Sequence, residues 1–325
     1  MKEKLKRQTN IQCAALLIYK MIMNVVVMGF VVVMAVIFAM DAFHNSADVA
    51  ETMAALAENL PRILNEYSGW GYLLAILVGI LVLLIWKKPS FFFRQILKKG
   101  RPMGAGTFCT VLCLFMGAQL VSQLGVTIMS ILMSYFGKDL AAFLESSAMN
   151  TDSFTMWLYA GLGAPVFEEI LFRGLLMRSL EPYGKRLSIL VSALLFGFYH
   201  GNPVQAPYAA LVGMVLGYVA MEHNIIWAMV LHMFNNLIFA DVFPRVLSGL
   251  PEMTSNLLMF AAMMVFAAAA VVLLIVKRRQ VMDAIRKDPI MPWQYNGAFL
   301  SPVLLILVGT CVVDMVLFVG MIMIS

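Results

Sequence analysis

Long apolar stretches separated by short polar connections repeat along the whole chain. A membrane-spanning helix needs about 20 predominantly apolar residues, and nine stretches approach or exceed this length. Their bounds are 14–40, 70–86, 105–136, 154–180, 187–201, 207–221, 225–240, 257–276 and 302–324. Two of them, 187–201 and 207–221, are short and require tilt or a thinner bilayer. The pattern predicts an all-helical polytopic bundle of about eight or nine transmembrane helices, because lipid forces backbone hydrogen bonds to close within each segment.

The connections between these stretches are too short to hold an independent soluble domain. Hydrophobic residues make up 62% of the chain and charged residues 13%, with a mean hydropathy of +0.87. This composition excludes an ordinary soluble domain and indicates an integral membrane protein. We therefore expect a single membrane domain over 1–325, surrounded by membrane lipid.

The connection 41–69 has apolar residues at helical spacing, with acidic and amide residues between them. The apolar positions are Val49, Met53, Leu56, Leu60 and Ile63. This pattern predicts an amphipathic helix that lies on the outer surface of the bundle. A lid that gates access of a substrate is the alternative interpretation.

The net charge of +5 is unevenly distributed. Lysine and arginine cluster at 2–7, 87–101, 178–186 and 277–287. If the nine stretches alternate across the membrane, these clusters share one side, and the other side receives only Arg62, Lys138 and Arg245. This asymmetry predicts a cytosolic N-terminus and explains the basic charge by topology, without a nucleic-acid partner. A compact chain of this type is expected in a prokaryotic plasma (inner) membrane.

The most polar group inside an apolar stretch is Glu168-Glu169-Ile170-Leu171-Phe172-Arg173. Glu169 and Arg173 are four residues apart, so they share a helix face and can form an ion pair. Glu168 lies about 100° around the helix axis and is free to face a different partner. Glu168 is therefore a candidate general base. A purely structural pair is the alternative. Pro165, just before this group, is expected to loosen the helix and free backbone carbonyls.

Two later stretches carry polar side chains at a comparable depth. His200 follows Phe196 by one helical turn, and Asn236 follows His232 by the same spacing. The helical rise places these groups and Glu168 within one layer of the membrane. Each side chain taken alone has an ordinary structural explanation. Together, an acid, a base and an amide at one depth predict a buried hydrolytic site.

In this order, the motifs E-E-x-x-x-R, F-x-x-x-H and H-x-x-x-N resemble those of the CPBP family. Its members are the CAAX-protease and bacteriocin-processing intramembrane proteases related to the Ras-converting CAAX endopeptidase. The similar segment is a catalytic core at about 154–240. The resemblance implies an intramembrane endopeptidase that hydrolyses a peptide bond in a membrane-associated peptide or protein. A lipidated protein, a leader peptide and a signalling peptide all fit as substrates.

The resemblance also implies roles for the polar residues of the three motifs, which are Glu168, Glu169, Arg173, His200, His232 and Asn236. The first glutamate and the first histidine would activate the attacking water. The second histidine and the asparagine would stabilise the tetrahedral oxyanion, and the glutamate–arginine pair would support the site.

The family has been described both as metalloproteases and as glutamate-dependent proteases. This sequence lacks H-E-x-x-H, the usual motif of zinc proteases, and an amide such as Asn236 is a better hydrogen-bond donor than zinc ligand. We therefore expect a glutamate-type mechanism without a cofactor. The alternative is a zinc ion held by Glu168, His200 and His232, with a fourth position for water.

Two further hypotheses come from other functional classes. A non-proteolytic bacteriocin-immunity or scaffold membrane protein would keep the same fold without the chemistry. A transporter would use buried carboxylates to couple protons, and Asp314 in the last stretch lends this some support. The complete set of site residues favours the enzyme, and no pair of Gly- or Pro-broken helices in matching halves supports a transporter.

Overall fold

A computed structural model describes residues 1–46, 48–87, 89–91, 97–147 and 153–324. The described chain is 88% helical and contains no strand. The helices of the first half are α1 (Lys2–Ser46), α2 (Val49–Lys87), α3 (Pro89–Phe91), α4 (Ala105–Gly117), α5 (Gln119–Ser134) and α6 (Leu140–Ser147). The prediction of an all-helical polytopic bundle is confirmed.

A continuous helical stretch, the site helix (154–183), follows. It consists of α7 (Phe154–Leu158), a π-helical segment (Tyr159–Gly163), α8 (Ala164–Glu169), a second π-helical segment (Ile170–Met177), α9 (Arg178–Leu180) and a 3-10 turn (Glu181–Tyr183). The helices after it are α10 (Lys185–Tyr199), α11 (Gln205–Glu222), α12 (Ile225–Met233), a π-helical segment (Phe234–Val242), α13 (Phe243–Leu247), α14 (Glu252–Val276), α15 (Arg278–Lys287), α16 (Pro292–Phe299) and α17 (Pro302–Ile324).

Each of the nine predicted stretches coincides with a helical segment. Within the described ranges, six helical segments are long and apolar enough to cross a membrane. They are Lys2–Asn45, Glu66–Lys87, Ala105–Ser134, Ile225–Leu247, Glu252–Val276 and Pro302–Ile324. The other three predicted stretches are the site helix, α10 and α11. These three carry many buried side chains, since they pack at the centre of the bundle.

The segment 41–69 differs from its prediction. α1 continues to Ser46 and α2 begins at Val49, so the two helices form a long hairpin with a short connection. Most of 41–69 is the first part of α2, which runs without a break through Lys87. A separate surface helix or lid is therefore not present in the described part of this segment.

The π-helical segments of the site helix lie on either side of α8, which contains Pro165 near its start. Proline has no backbone N–H and cannot complete the hydrogen-bond ladder of the preceding turn. The helix widens in that turn, where Gly161 is buried and packs against Leu237. The expected loosening at Pro165 is thus confirmed, and π-helical turns of this kind are frequent at functional sites.

The basic connections meet at one end of the bundle, the basic end. Lys98 Nζ lies 3.1 Å from Glu181 Oε1, and Lys185 Nζ lies 3.2 Å from Glu222 Oε1. Arg186 donates through Nη1 to the carbonyl of Ile285 at 2.6 Å. Three clusters that the sequence predicted to share one side therefore lie together.

Candidate active site

A buried ion pair lies at the centre of the bundle. Arg173 Nη1 is 3.0 Å from Glu169 Oε1, and neither side chain has exposed surface. The pairing expected from their helical spacing is present. Arg173 Nη2 also donates to the carbonyl of Gly213 on α11 at 3.3 Å, and its guanidinium lies 4.3 Å from the ring centre of Phe196 on α10. Arg173 therefore joins the site helix to both neighbouring helices.

This ion pair is incompletely hydrogen-bonded. Among the described residues, Arg173 Nε, Arg173 Nη1 and Glu169 Oε2 are buried without a hydrogen-bond partner, although Nη1 lies 3.0 Å from Glu169 Oε1. Buried polar atoms without partners cost free energy, and a buried ion pair is weak evidence for stability.

His232 lies between the two glutamates. Its Nδ1 is 3.0 Å from Glu169 Oε1 and its Nε2 is 3.8 Å from Glu168 Oε2, with little of the side chain exposed. Glu169 carries no N–H, so Nδ1 carries the hydrogen of this bond. The helical spacing linked His232 with Asn236, and the zinc alternative linked it with Glu168 and His200, but neither predicted its contact with Glu169. Its contact with Glu169 comes from the packing of α12 against the site helix.

Glu168 and Glu169 face different surroundings, as their spacing predicted. The side chain of Glu169 is fully buried, whereas that of Glu168 is 29% exposed. Glu168 faces a cavity of about 200 Å³ that α1 and α2 form with the core. Polar and aromatic side chains of its wall include Tyr19, Lys20, Asn24, Tyr72, Tyr159 and Tyr199. Of the two carboxylates, Glu168 is therefore the one that faces the cavity.

His200 is the C-cap residue of α10, and the ring of Phe196 lies between it and His232. Its Nδ1 lies 2.7 Å from the carbonyl oxygen of Phe196, so the Nδ1 hydrogen is donated there and Nε2 remains available. The ring centre of Phe196 lies 4.8 Å from that of His200 and 5.8 Å from that of His232, nearly perpendicular to both. Within the described residues, His200 makes no direct hydrogen bond or ion pair with Glu168, so they can act together only through a molecule between them.

Asn236 is partly committed to the backbone of the site helix. Its Nδ2 donates to the carbonyl of Ala160 at 2.9 Å, and its Oδ1 accepts from Asn235 Nδ2 at 3.0 Å. Ala160 lies in the π-helical segment before Pro165, where carbonyls lose their regular partners. A side-chain amide carries two N–H groups, so one donor remains for a ligand.

A second polar network surrounds Asn235 in the π-helical segment after α12. The sequence motifs did not predict it. Gln119 Nε2 donates to Asn235 Oδ1 at 2.6 Å and lies 2.8 Å from the hydroxyl of Tyr208, which donates to the same oxygen at 3.2 Å. In the sequence, the only feature that pointed to this network was that Asn235 precedes the motif residue Asn236. Gln119 and Tyr208 lie in stretches without any motif, so only the folded chain connects them.

The three residues of the zinc alternative are only partly grouped. Within the described ranges, no three His, Cys, Asp or Glu side chains are grouped so that they could hold a metal ion. His200 and His232 both use Nδ1 for protein contacts, to a carbonyl and to Glu169 respectively. Their Nε2 atoms are left, as in a zinc-bound histidine whose other ring N–H is held by the protein, and His232 Nε2 lies 3.8 Å from Glu168 Oε2. Metal dependence is therefore a question for experiment.

The buried ion pair leads to the first testable prediction. Arg173→Ala leaves the charge of Glu169 buried and uncompensated, which typically costs about 3–5 kcal/mol. We expect a large fall in the thermal midpoint of the protein in detergent. The double variant Glu169→Gln with Arg173→Met removes both charges and should recover part of the loss. An Arg173→Ala variant as stable as the wild type would contradict a sealed ion pair.

Comparison with known proteins agrees with the geometry. Residues 150–238 match the family model described as Rce1-like type II CAAX prenyl endopeptidase. No curated protein and no solved structure matches the chain. The matched segment contains the site helix, α10, α11, α12 and all three motifs, so the resemblance is confirmed there. The segment that bears the site is thus an Rce1-like domain of the CAAX-protease family.

Proposed function

We propose that this protein is an intramembrane endopeptidase that hydrolyses a peptide bond with a water molecule activated by Glu168 and His200. The observation that carries the proposal is the separation of the two adjacent glutamates. Arg173 neutralises the sealed Glu169, whereas Glu168 faces the cavity. The match of 150–238 to a CAAX-protease family supports endopeptidase activity in general.

In the proposed reaction, Glu168 accepts a proton from water as the water oxygen attacks the carbonyl carbon of the substrate. The Nε2 atom of His200 holds the same water by accepting its second hydrogen, since Nδ1 is occupied by the Phe196 carbonyl. The proton on Glu168 then passes to the amide nitrogen as the carbon–nitrogen bond breaks. A positioned general base of this kind typically contributes about 10²–10⁴-fold to the rate.

The negative charge on the tetrahedral intermediate needs hydrogen-bond donors aimed at it. We assign this role to His232 and Asn236. His232 donates Nδ1–H to Glu169 and, in its doubly protonated form, has Nε2–H for the oxyanion. Asn236 contributes the N–H that Ala160 does not use. Loss of either donor should reduce turnover more than substrate binding.

The surroundings of the cavity indicate the class of substrate, and the distribution of basic residues indicates the orientation in the membrane. The cavity beside Glu168 lies among membrane helices, which suits a membrane-associated peptide such as the tail of a lipidated protein or a leader peptide. The meeting of basic connections at one end supports a cytosolic N-terminus in a prokaryotic plasma membrane. A non-proteolytic scaffold of the same fold is the outcome if no peptide is cleaved. The ion pair of Asp314 with Lys20 offers a structural role for the residue on which the transporter hypothesis depends.

Substitution of the proposed base tests the mechanism directly. Glu168→Gln keeps the shape of the side chain but removes its basicity, so we expect hydrolysis of a quenched fluorescent peptide panel to fall at least about 100-fold. The thermal midpoint should stay close to the wild-type value, because the side chain is partly exposed and lacks a strong partner. Glu252→Gln, on the exposed start of α14, is the matched control. More than about a tenth of the wild-type activity in Glu168→Gln would refute the assignment.

Metal dependence separates the proposed mechanism from its alternative. If water is activated by Glu168 and His200 alone, the purified enzyme should stay active in strong chelators and should carry no stoichiometric zinc. Elemental analysis and activity before and after chelation measure both properties. Activity that is lost on chelation and restored by zinc, with about one zinc per chain, would establish a metalloprotease.

Orientation is tested with cysteines placed at opposite ends of the bundle. Gln280 is exposed on α15 at the basic end, and an added side chain at Gly249 meets no atom within 4 Å. In a background with Cys109→Ala and Cys113→Ala, we expect a membrane-impermeant maleimide to label Gln280→Cys only in inside-out vesicles. Gly249→Cys should label only in right-side-out vesicles. The reverse pattern would invert the proposed topology.

A further inference from the structure

An ion pair between two apolar helices connects opposite ends of the chain. Lys20 on α1 and Asp314 on α17 form this pair through Nζ and Oδ2. Both residues lie in segments apolar enough to cross a membrane, where a charged side chain is costly and commonly marks a function. Neither belongs to the segment 150–238 that matches the protease family. The function of this pair is therefore not given by the family motifs.

The lysine side of the pair contacts the residue before His200. Lys20 Nζ lies 5.6 Å from the ring centre of Tyr199. The hydroxyl of Tyr199 donates to the carbonyl of Leu16, one turn earlier on α1, at 3.2 Å. α1 thus contacts both the ring and the hydroxyl of Tyr199.

The aspartate side of the pair contacts the residue after His200. Gly201 has φ of +62°, a left-handed conformation that favours glycine and ends α10. A β-carbon added to Gly201 would come within 2.9 Å of Asp314 Cβ. α17 therefore packs directly against the backbone that follows His200, with no space for a larger residue.

The pair also lies beside the cavity of the candidate base. Lys20 and Tyr199 both line the cavity that Glu168 faces. A role as a binding site for an anionic substrate group is disfavoured, because the charge of Lys20 is already balanced by Asp314 and Glu168 adds a second negative charge nearby. The feature that calls for an explanation is that Lys20 contacts Tyr199 and Asp314 contacts Gly201, the two neighbours of His200 in the chain.

We infer that the Lys20–Asp314 ion pair is a positioning device that holds the end of α10, and with it His200, against α1 and α17. The pair closes α1 and α17 on Tyr199 and Gly201, on either side of the histidine. Since the ring of His200 is otherwise fixed through Nδ1 by its own helix, the position of that helix end sets where Nε2 points. This role rests on the proposed protease function, in which His200 holds the attacking water.

The experiment uses the full-length protein in detergent and a double variant that leaves no charge unpaired. Lys20→Met with Asp314→Leu should fold, and we expect kcat to fall about 10–100-fold while KM changes little, as for a misplaced catalytic group. The conservative variant Lys20→Arg should retain most of the activity, because it preserves the pair. A matched double variant at the basic end, Lys98→Gln with Glu181→Gln, should have the wild-type kcat.

A second measurement reports on His200 without using activity. The chain contains four histidines, so protein labelled with ¹⁵N-histidine gives few imidazole signals, and loss of one in His200→Gln assigns it. We expect the His200 signal to shift in the Lys20→Met, Asp314→Leu variant but not in the basic-end variant. An unchanged signal together with the wild-type kcat would overturn the positioning role. If the wild type cleaves no peptide but the signal shifts, the proposed protease function fails and the positioning of His200 stands.

Discussion

The whole site depends on the buried contact between Glu169 and Arg173. Through it the site helix reaches the backbone of α11 at Gly213, the ring of Phe196 on α10 and the imidazole of His232 on α12. A charge in this position is tolerated only with its partner, and the pair contacts all three neighbouring helices from within the site helix. The same contact occupies one of two adjacent carboxylates and leaves the other to the cavity. Structural need and chemical use are therefore divided between neighbouring residues.

The backbone of the site helix is as specialised as its side chains. Pro165 interrupts the hydrogen-bond ladder, and the helix responds by widening into a π-helical turn. The carbonyl of Ala160 in that turn accepts a hydrogen bond from Asn236, which lies 76 residues later in the chain. A local defect thus fixes the orientation of a side chain in the π-helical segment that follows α12. Asn236 serves the fold with one N–H and has another to offer a ligand.

Sequence reasoning succeeded where the relevant geometry is local. A spacing of four residues was sufficient to predict the Glu169–Arg173 contact and the divergence of Glu168, because helical periodicity alone determines both. It failed for 41–69, since the same amphipathic period describes a surface helix and the exposed part of a helix that continues into the bundle. The contact of His232 with Glu169, and that of Gln119 with Asn235, arises between distant segments. A single sequence contains no signal for such pairs until the helices have packed.

The cavity beside Glu168 is built from two unrelated lengths of the chain. Glu168 comes from the segment with the family motifs, whereas Tyr72, Ile76 and Asn24 in the cavity wall come from the α1–α2 hairpin. Catalysis and the choice of what enters are thus encoded separately. Substitutions in the hairpin can alter the range of accepted peptides while every motif residue stays in place. Two proteins with identical motifs and different first helices would then share a reaction and differ in their biology.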